Sequence, residues 1–424
     1  MVTLRDRYDP AANGLGLLRL ALALAVLVAH AWPLGLGRPG PLHGLSGGQA
    51  DLGGLAVDGF FVLSGFLVAA SARRGGALRF AWRRFLRIYP ALWVCLLGTA
   101  LVAAAAGHGG GWGYVRGNWT GTTHQWGLGA LFRDTPYGRL VGTGVVNGSL
   151  WRLTYELLCY AGLTLLVAAG LPRRAPWLVP ALAAAAFTAS AAHPRGGLAL
   201  PAFGYVDAQL ACHLGLLFLL GASAQLYAHR VPLHPLGAAA AGLLLAGSLL
   251  GGGYFPVGCT ALAYLLLYAA CTIPPRLHRV GREHDYSYGI YLYAFPIQQL
   301  VADLGGAAWG VAAYIALCLA PVLLLAAASW HLVERPALAL KGRRALRSVS
   351  KSGRIAGLGR QFGVCVSSFR CGPGHWCGGA HPGLSRACSE GSPSALPPAV
   401  LAGGGLRPPR PSTSVVGVGV VGSG

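Results

Sequence analysis

Apolar residues in this chain run in long blocks separated by short polar and basic stretches, and these blocks, not an alternating pattern, set the fold. Blocks long enough to approach or span a bilayer of about 30 Å lie near Leu15–Leu34, Ala56–Ala72, Tyr89–Ala106, Leu150–Gly170, Pro176–Ala192, Gln209–Ala228, Leu236–Leu250, Tyr254–Ile273, Tyr286–Leu304 and Ala307–Leu332. The pattern predicts an all-α fold, a polytopic transmembrane helix bundle of about ten spans. The first block follows Arg5 and Arg7 as a signal peptide would. It is too long and lacks a convincing small-residue cleavage site, so it is read as a retained first span.

Composition supports this reading: the chain is 54% hydrophobic and 11% charged, with a mean hydropathy of +0.54 over 424 residues. A net charge of +21 would suit a nucleic-acid binder, but the placement of the basic residues argues for membrane orientation instead. With the N-terminus inside, the inner connections hold twenty Lys and Arg, among them Arg73, Arg74, Arg79, Arg83, Arg84 and Arg87, and the outer ones only Arg38, Arg116, Arg133, Arg139 and Arg195. Both termini are therefore expected in the cytoplasm, with membrane lipid as a partner and no nucleic acid. Cys95, Cys159, Cys212, Cys259, Cys271 and Cys318 fall inside spans and read as small apolar packing residues. Cys365, Cys371, Cys377 and Cys388 lie in a tail rich in Gly, Ser, Pro and Arg, at spacings that match no common zinc pattern, so no metal is expected. The expected organisation is one integral membrane domain over 1–347 and a disordered, low-complexity tail over 348–424.

Ionisable residues inside the spans are the candidates for chemistry, because each is expensive to keep there. Arg19 and His30 share the first span, eleven residues apart, which returns a helix to within roughly 20° of one face about 16.5 Å further along. An Arg snorkelling to the interface and a His packed in a bundle is the structural alternative. Asp58 begins the second span, whose Gly59, Ser64 and Gly65 suit close helix packing. Arg83, Arg84 and Arg87 form a cationic cluster in the loop before the third span, suited to anionic lipid or to the phosphates of a cytosolic cofactor. Arg152 and Glu156 stand four residues apart and could pair with each other. With Glu156 about 12 Å and His30 about 6 to 8 Å below the outer ends of their spans, His30, Asp58, Arg152 and Glu156 share the outer half in depth. The ninth span, rich in Tyr and Gln and carrying Pro296, is expected to line a cavity, and Glu334 with Arg335 to anchor the last span at the interface.

Six ordered motifs resemble membrane-bound acyltransferase family 3, the group that includes bacterial peptidoglycan, lipopolysaccharide and exopolysaccharide O-acetylases. They are Arg19 with His30; Asp58-Gly-Phe-Phe-Val-Leu-Ser-Gly-Phe66; Arg84-Phe-Leu-Arg87-Ile-Tyr-Pro90; Leu150-Trp-Arg-Leu-Thr-Tyr-Glu156; Tyr286-Ser-Tyr-Gly-Ile-Tyr-Leu292; and Val333-Glu-Arg-Pro336. The resemblance implies a membrane-bound O-acyltransferase of the bacterial cytoplasmic membrane. It would move an acetyl or other acyl group from acyl-CoA to a hydroxyl of a sugar or glycoconjugate. It also implies essential roles for Arg19 and His30, a CoA-binding role for Arg84 and Arg87 with Arg83 beside them, and an acidic role for Glu156. Two positions depart from the family pattern: Arg152, where Ser often follows Trp, and Ala294, where many members carry His before Phe-Pro. His30 would deprotonate the acceptor hydroxyl or carry the acyl group, with Glu156 or Asp58 orienting the imidazole. A transporter or flippase for a lipid-linked sugar is the competing class, using the same polar residues without covalent chemistry.

Overall fold

The computed structural model describes residues 1–72, 76–105, 110–120, 135–136, 139, 145–192, 196–200 and 204–341. All of them fall in one compact unit, Met1–Phe362; a second unit, Gly363–Gly424, lies outside them. The tail expected over 348–424, with its four cysteines, is thus outside the described residues, as are Arg73, Arg74, Arg133 and Arg195.

Every apolar block contains a helix. In chain order these are α1 (Leu15–Ala31), α2 (Leu52–Ala72), α3 (Ala77–Ala105), α4 (Trp151–Ala168), α5 (Leu178–Ala191), α6 (Ala208–Leu226), α7 (Pro235–Gly251), α8 (Cys259–Thr272), α9 (Ser287–Asp303) and α10 (Val311–Ser329). Among the described residues, six segments are long and apolar enough to cross a membrane: Leu15–Leu36, Leu52–Ala72, Ala77–Ala105, Ala208–Leu226, Tyr254–Thr272 and Val311–Lys341. The expected ten spans therefore reduce to six by this measure. At about 1.5 Å per residue α5 and α7 rise only about 21 and 26 Å, short of a ~30 Å hydrocarbon core. Arg152 and Glu156 dilute the apolar character of α4, and tyrosines and glutamines that of α9. The fold also departs from purely α in an antiparallel hairpin of β1 (Gly197–Leu200) and β2 (Gly204–Asp207) that leads into α6. Asp207 caps that helix, its carboxylate accepting from Leu210 N at 2.8 Å.

Two helix starts differ from expectation, and both matter for the site. Asp51 accepts from Gly54 N at 2.6 Å and starts α2 four residues before the apolar block. The arginine cluster, expected in a loop, is helical: α3 begins at Ala77 and carries Arg83, Arg84 and Arg87 within its first three turns, with Phe80, Leu86 and Ile88 buried among them. Residues three and four apart share a helix face, so Arg87 neighbours both Arg83 and Arg84 and spacing alone does not separate them.

The tightest crossing joins α2 and α6. A Cβ at Gly65 would stand 1.9 Å from the Phe218 carbonyl oxygen, and one at Gly221 2.0 Å from that of Val62. The small-residue notch expected around Gly65 thus lets two backbones touch. One large buried cluster, including Val62, Phe66, Leu92, Leu153, Leu217 and Leu292, ties α2, α3, α4, α6 and α9 together. Leu101, Leu165, Leu243 and Leu324 are exposed, as lipid-facing positions of apolar helices would be.

Candidate active site

Two of the cavities between these helices hold the candidate residues. The larger, of about 390 Å³, is lined by Arg19 of α1, Ser64 of α2, Arg84 and Arg87 of α3, Arg152, Glu156 and Tyr160 of α4, Arg282 and Asp285 before α9, Tyr288 of α9, and Lys341. Its lining carries six basic side chains against two acids, so the larger cavity favours an anion. The smaller, of about 80 Å³, is lined by His30, Asp51, Ser149 and Arg152 among others. Val57, Arg152 and Tyr291 line both, which makes them the partition. Arg19 and His30, set on one helix edge by their spacing, thus serve different cavities.

The floor of the larger cavity is an ion network. Arg19 Nη1 and Arg87 Nη2 both donate to Asp285 Oδ2, at 2.5 and 2.7 Å, and Arg87 Nη1 reaches Glu334 Oε2 at 3.2 Å. Ser287 Oγ donates to the other oxygen of Asp285 at 2.5 Å, and Ser329 Oγ to Glu334 Oε1 at 3.2 Å. Burial by itself would raise the Asp285 carboxyl, but Arg19 and Arg87 beside it, with the Ser287 bonds, hold it at about 2. Asp285 was missed in the sequence because it stands one residue before the motif that begins at Tyr286. Its signal was an acid at the mouth of a polar span. Glu334 is also corrected: it is buried at 2% exposure and turns inward to Arg87 while Arg335 is exposed, so the pair does not serve as an interfacial anchor. A π-type turn over Trp330–Glu334 at the end of α10 places it there.

Arg84 and Arg87, expected together, do line one cavity, whereas Arg83 is absent from its lining. Arg84 lies over the rings of Phe80 and Tyr160, at 5.9 and 5.7 Å, with its Nε enclosed and unbonded. Arg152 and Glu156 do not pair. Glu156 Oε1 accepts from Ser64 Oγ at 3.3 Å and from the Tyr160 hydroxyl, while the Arg152 guanidinium lies 4.5 Å over the Trp151 ring. Ser64, read as a packing residue, is therefore also a hydrogen-bond donor to that acid.

His30 packs edge-on against Phe295 at 5.4 Å, with its Nδ1 enclosed and without a hydrogen-bond partner. Neither acid expected to orient it does so: Glu156 lines the other cavity, and Asp58 is turned to a different set of helices. The acid that shares the cavity of His30 is Asp51, just ahead of α2 and invisible to a search restricted to spans. Asp58 accepts from Tyr254 at 2.7 Å and lies 3.1 Å from His213 Nε2 at both oxygens. The shared outer depth of Asp58 and His30 thus did not mean lateral proximity. Cys259 completes the Asp58 group, whose three donor atoms lie within 4.8 Å, the set among the described residues with geometry suited to a metal ion.

A cationic cavity joined through one wall to a histidine cavity fits the motifs that resemble an acyltransferase, and residues 13–331 match the acyltransferase domain family. The chain belongs to that family. It is 29% identical over 335 residues to an O-acetyl transferase of Shigella phage Sf6, covering 75% of this chain and 93% of the relative. It is 30% identical over 375 residues to nodulation protein 10 of Rhizobium leguminosarum bv. viciae, covering 80% and 96%. No solved structure matches it. The enzyme class expected from the motifs, an O-acyltransferase, follows from this membership.

Proposed function

We propose that this acyltransferase moves an acyl group, acetyl in the first instance, from acyl-CoA to a hydroxyl of a sugar or glycoconjugate at the bacterial cytoplasmic membrane. The observation that carries the reading is the shared wall: Val57, Arg152 and Tyr291 line both the cationic cavity and the cavity of His30. CoA phosphates suit the larger cavity, where Arg84, Arg282 and Lys341 add cationic charge to the Arg19–Arg87–Asp285 floor. At about 390 Å³ that cavity takes the pantetheine arm and a phosphate, not the whole cofactor, which fits entry from a membrane face. The thioester end reaches the partition, and the acceptor hydroxyl meets it from the side of His30, which acts as general base. Arg19 and Arg87, fixed by Asp285, shape the donor side. The positive-inside distribution supports a donor side that faces the cytoplasm, with both termini there.

Membranes containing the protein, supplied with radiolabelled acetyl-CoA, test the reading. Label should enter a glycan fraction, and His30→Ala should abolish that transfer while the protein remains folded in the membrane. Unchanged acetylation by the variant would overturn the role of His30. Glycan movement across the bilayer with no label transferred would favour the transporter reading. Release of CoA in a burst without acceptor would make His30 an acyl carrier in place of a base.

A further inference from the structure

The geometry points to Ser149 and Arg152 as the oxyanion site of this enzyme: both residues line the small cavity of His30 at the start of α4, where the thioester carbonyl would acquire negative charge. This rests on the acyl-transfer reading above and goes beyond it, since neither the motifs nor the family pattern supplied an oxyanion donor. Arg152 itself stands where Ser is common in the family.

Four observations converge. Ser149 is 3% exposed, lines the cavity, and leaves its Oγ without a hydrogen-bond partner. A buried hydroxyl held without a partner is costly, and one beside a reaction cavity is accounted for by a ligand oxygen. Arg152 lines both cavities, and among the described residues no carboxylate forms an ion pair with it, although Asp51 and Glu156 each share a cavity with it. It also sits in the first turn of an 18-residue helix, where a cation opposes the helix dipole and an anion is favoured. A negative charge between the helix start and the guanidinium would relieve that opposition. The local backbone is fixed in advance: Asn147 Nδ2 donates to Leu292 O at 2.9 Å, Asn147 Oδ1 accepts from Ser149 N at 3.2 Å, and the Tyr291 hydroxyl donates to Ser149 O. A Cβ at Gly148 would stand 2.5 Å from the Phe295 ring, and that ring packs on His30, so the turn and the imidazole are held as one unit. Preorganised donors of this kind act without reorganising as charge develops.

The step balances without a further reactant. The acceptor oxygen forms a C–O bond to the thioester carbon as its proton passes to His30, and the carbonyl electron pair moves onto oxygen between Ser149 and Arg152. Collapse restores the carbonyl and breaks the C–S bond, and the CoA thiolate takes the proton back from His30.

Labelled acetyl-CoA turnover onto membrane glycan by wild type, Ser149→Ala, Arg152→Gln, Arg152→Ala and His30→Ala tests this, with thermal midpoint in detergent and CoA affinity as checks on folding. Loss of one oxyanion donor should lower the maximal rate by about 10² to 10³-fold. KM for acetyl-CoA should change little, and added guanidinium ion should restore part of the Arg152→Ala rate. Maximal rates within about tenfold of wild type for both Ser149→Ala and Arg152→Gln, or a loss confined to KM, overturn the proposal. If His30→Ala is inactive while those two variants are active, the oxyanion assignment alone fails. Absence of transfer by the wild type removes the acyl-transfer reading beneath it.

Discussion

Asp285→Asn is the most informative single substitution in the larger cavity, because one carboxylate oxygen accepts from both Arg19, at 2.5 Å, and Arg87, at 2.7 Å. The amide keeps the shape and removes the charge. The two guanidiniums then face each other, with only Glu334, 3.2 Å from Arg87, left as a counter-charge. Breaking a buried pair from one side costs about 3 to 5 kcal/mol. The carboxyl gives a second, independent magnitude. It is held at about 2 against an ordinary 3.8 at 13% exposure, a difference worth roughly 2 kcal/mol at ~1.36 kcal/mol per unit. The sign follows from a depressed value. This contribution is fully present above about pH 4 and is lost as the pH falls through about 2. The assay is the thermal midpoint of wild type and variant in detergent, followed by tryptophan fluorescence across that range. The variant should melt several degrees lower at pH 7, with the gap narrowing between pH 4 and 2. An equal midpoint at pH 7, or a gap that does not close in acid, would refute the assignment of Asp285 as the charge that holds the two arginines.

Gly65→Ala and Gly221→Ala should each force α2 and α6 apart, since each Cβ would stand about 2 Å from a backbone oxygen. Yield of folded protein on size-exclusion chromatography should collapse for both, and a normal profile for either would contradict the backbone contact. If acyl-CoA occupies the cationic cavity as proposed, Arg84→Ala should raise KM for acetyl-CoA more than it lowers kcat, read from initial rates, because the side chain lines that cavity without forming an ion pair among the described residues. Tyr254→Phe removes a 2.7 Å bond to the buried Asp58 and should lower the thermal midpoint by an amount equivalent to about 1 to 3 kcal/mol. No loss there would show that Asp58 is satisfied by His213 alone.

The apolar blocks by themselves determined where the helices lie, because a chain in lipid must satisfy its backbone internally and a helix does so over a contiguous stretch. Spacing also determined that Arg19 and His30 stand at opposite ends of one edge. Three things lay beyond that local information. Asp285 and Glu334 meet Arg87 from 198 and 247 residues away, so no spacing rule could pair them with it. Asp58 and His30 have similar depths, but only the packing of α2 against α6 and α8 decided that Asp58 turns to His213 and Tyr254. Helix length was the third, since α5 and α7 are apolar yet shorter than the six long apolar segments among the described residues. Depth and face are properties of one helix and can be read from its sequence. Partnership depends on the rotation and crossing of two helices, and here backbone contact at Gly65 and Gly221, together with the ion network on Asp285, fixes them.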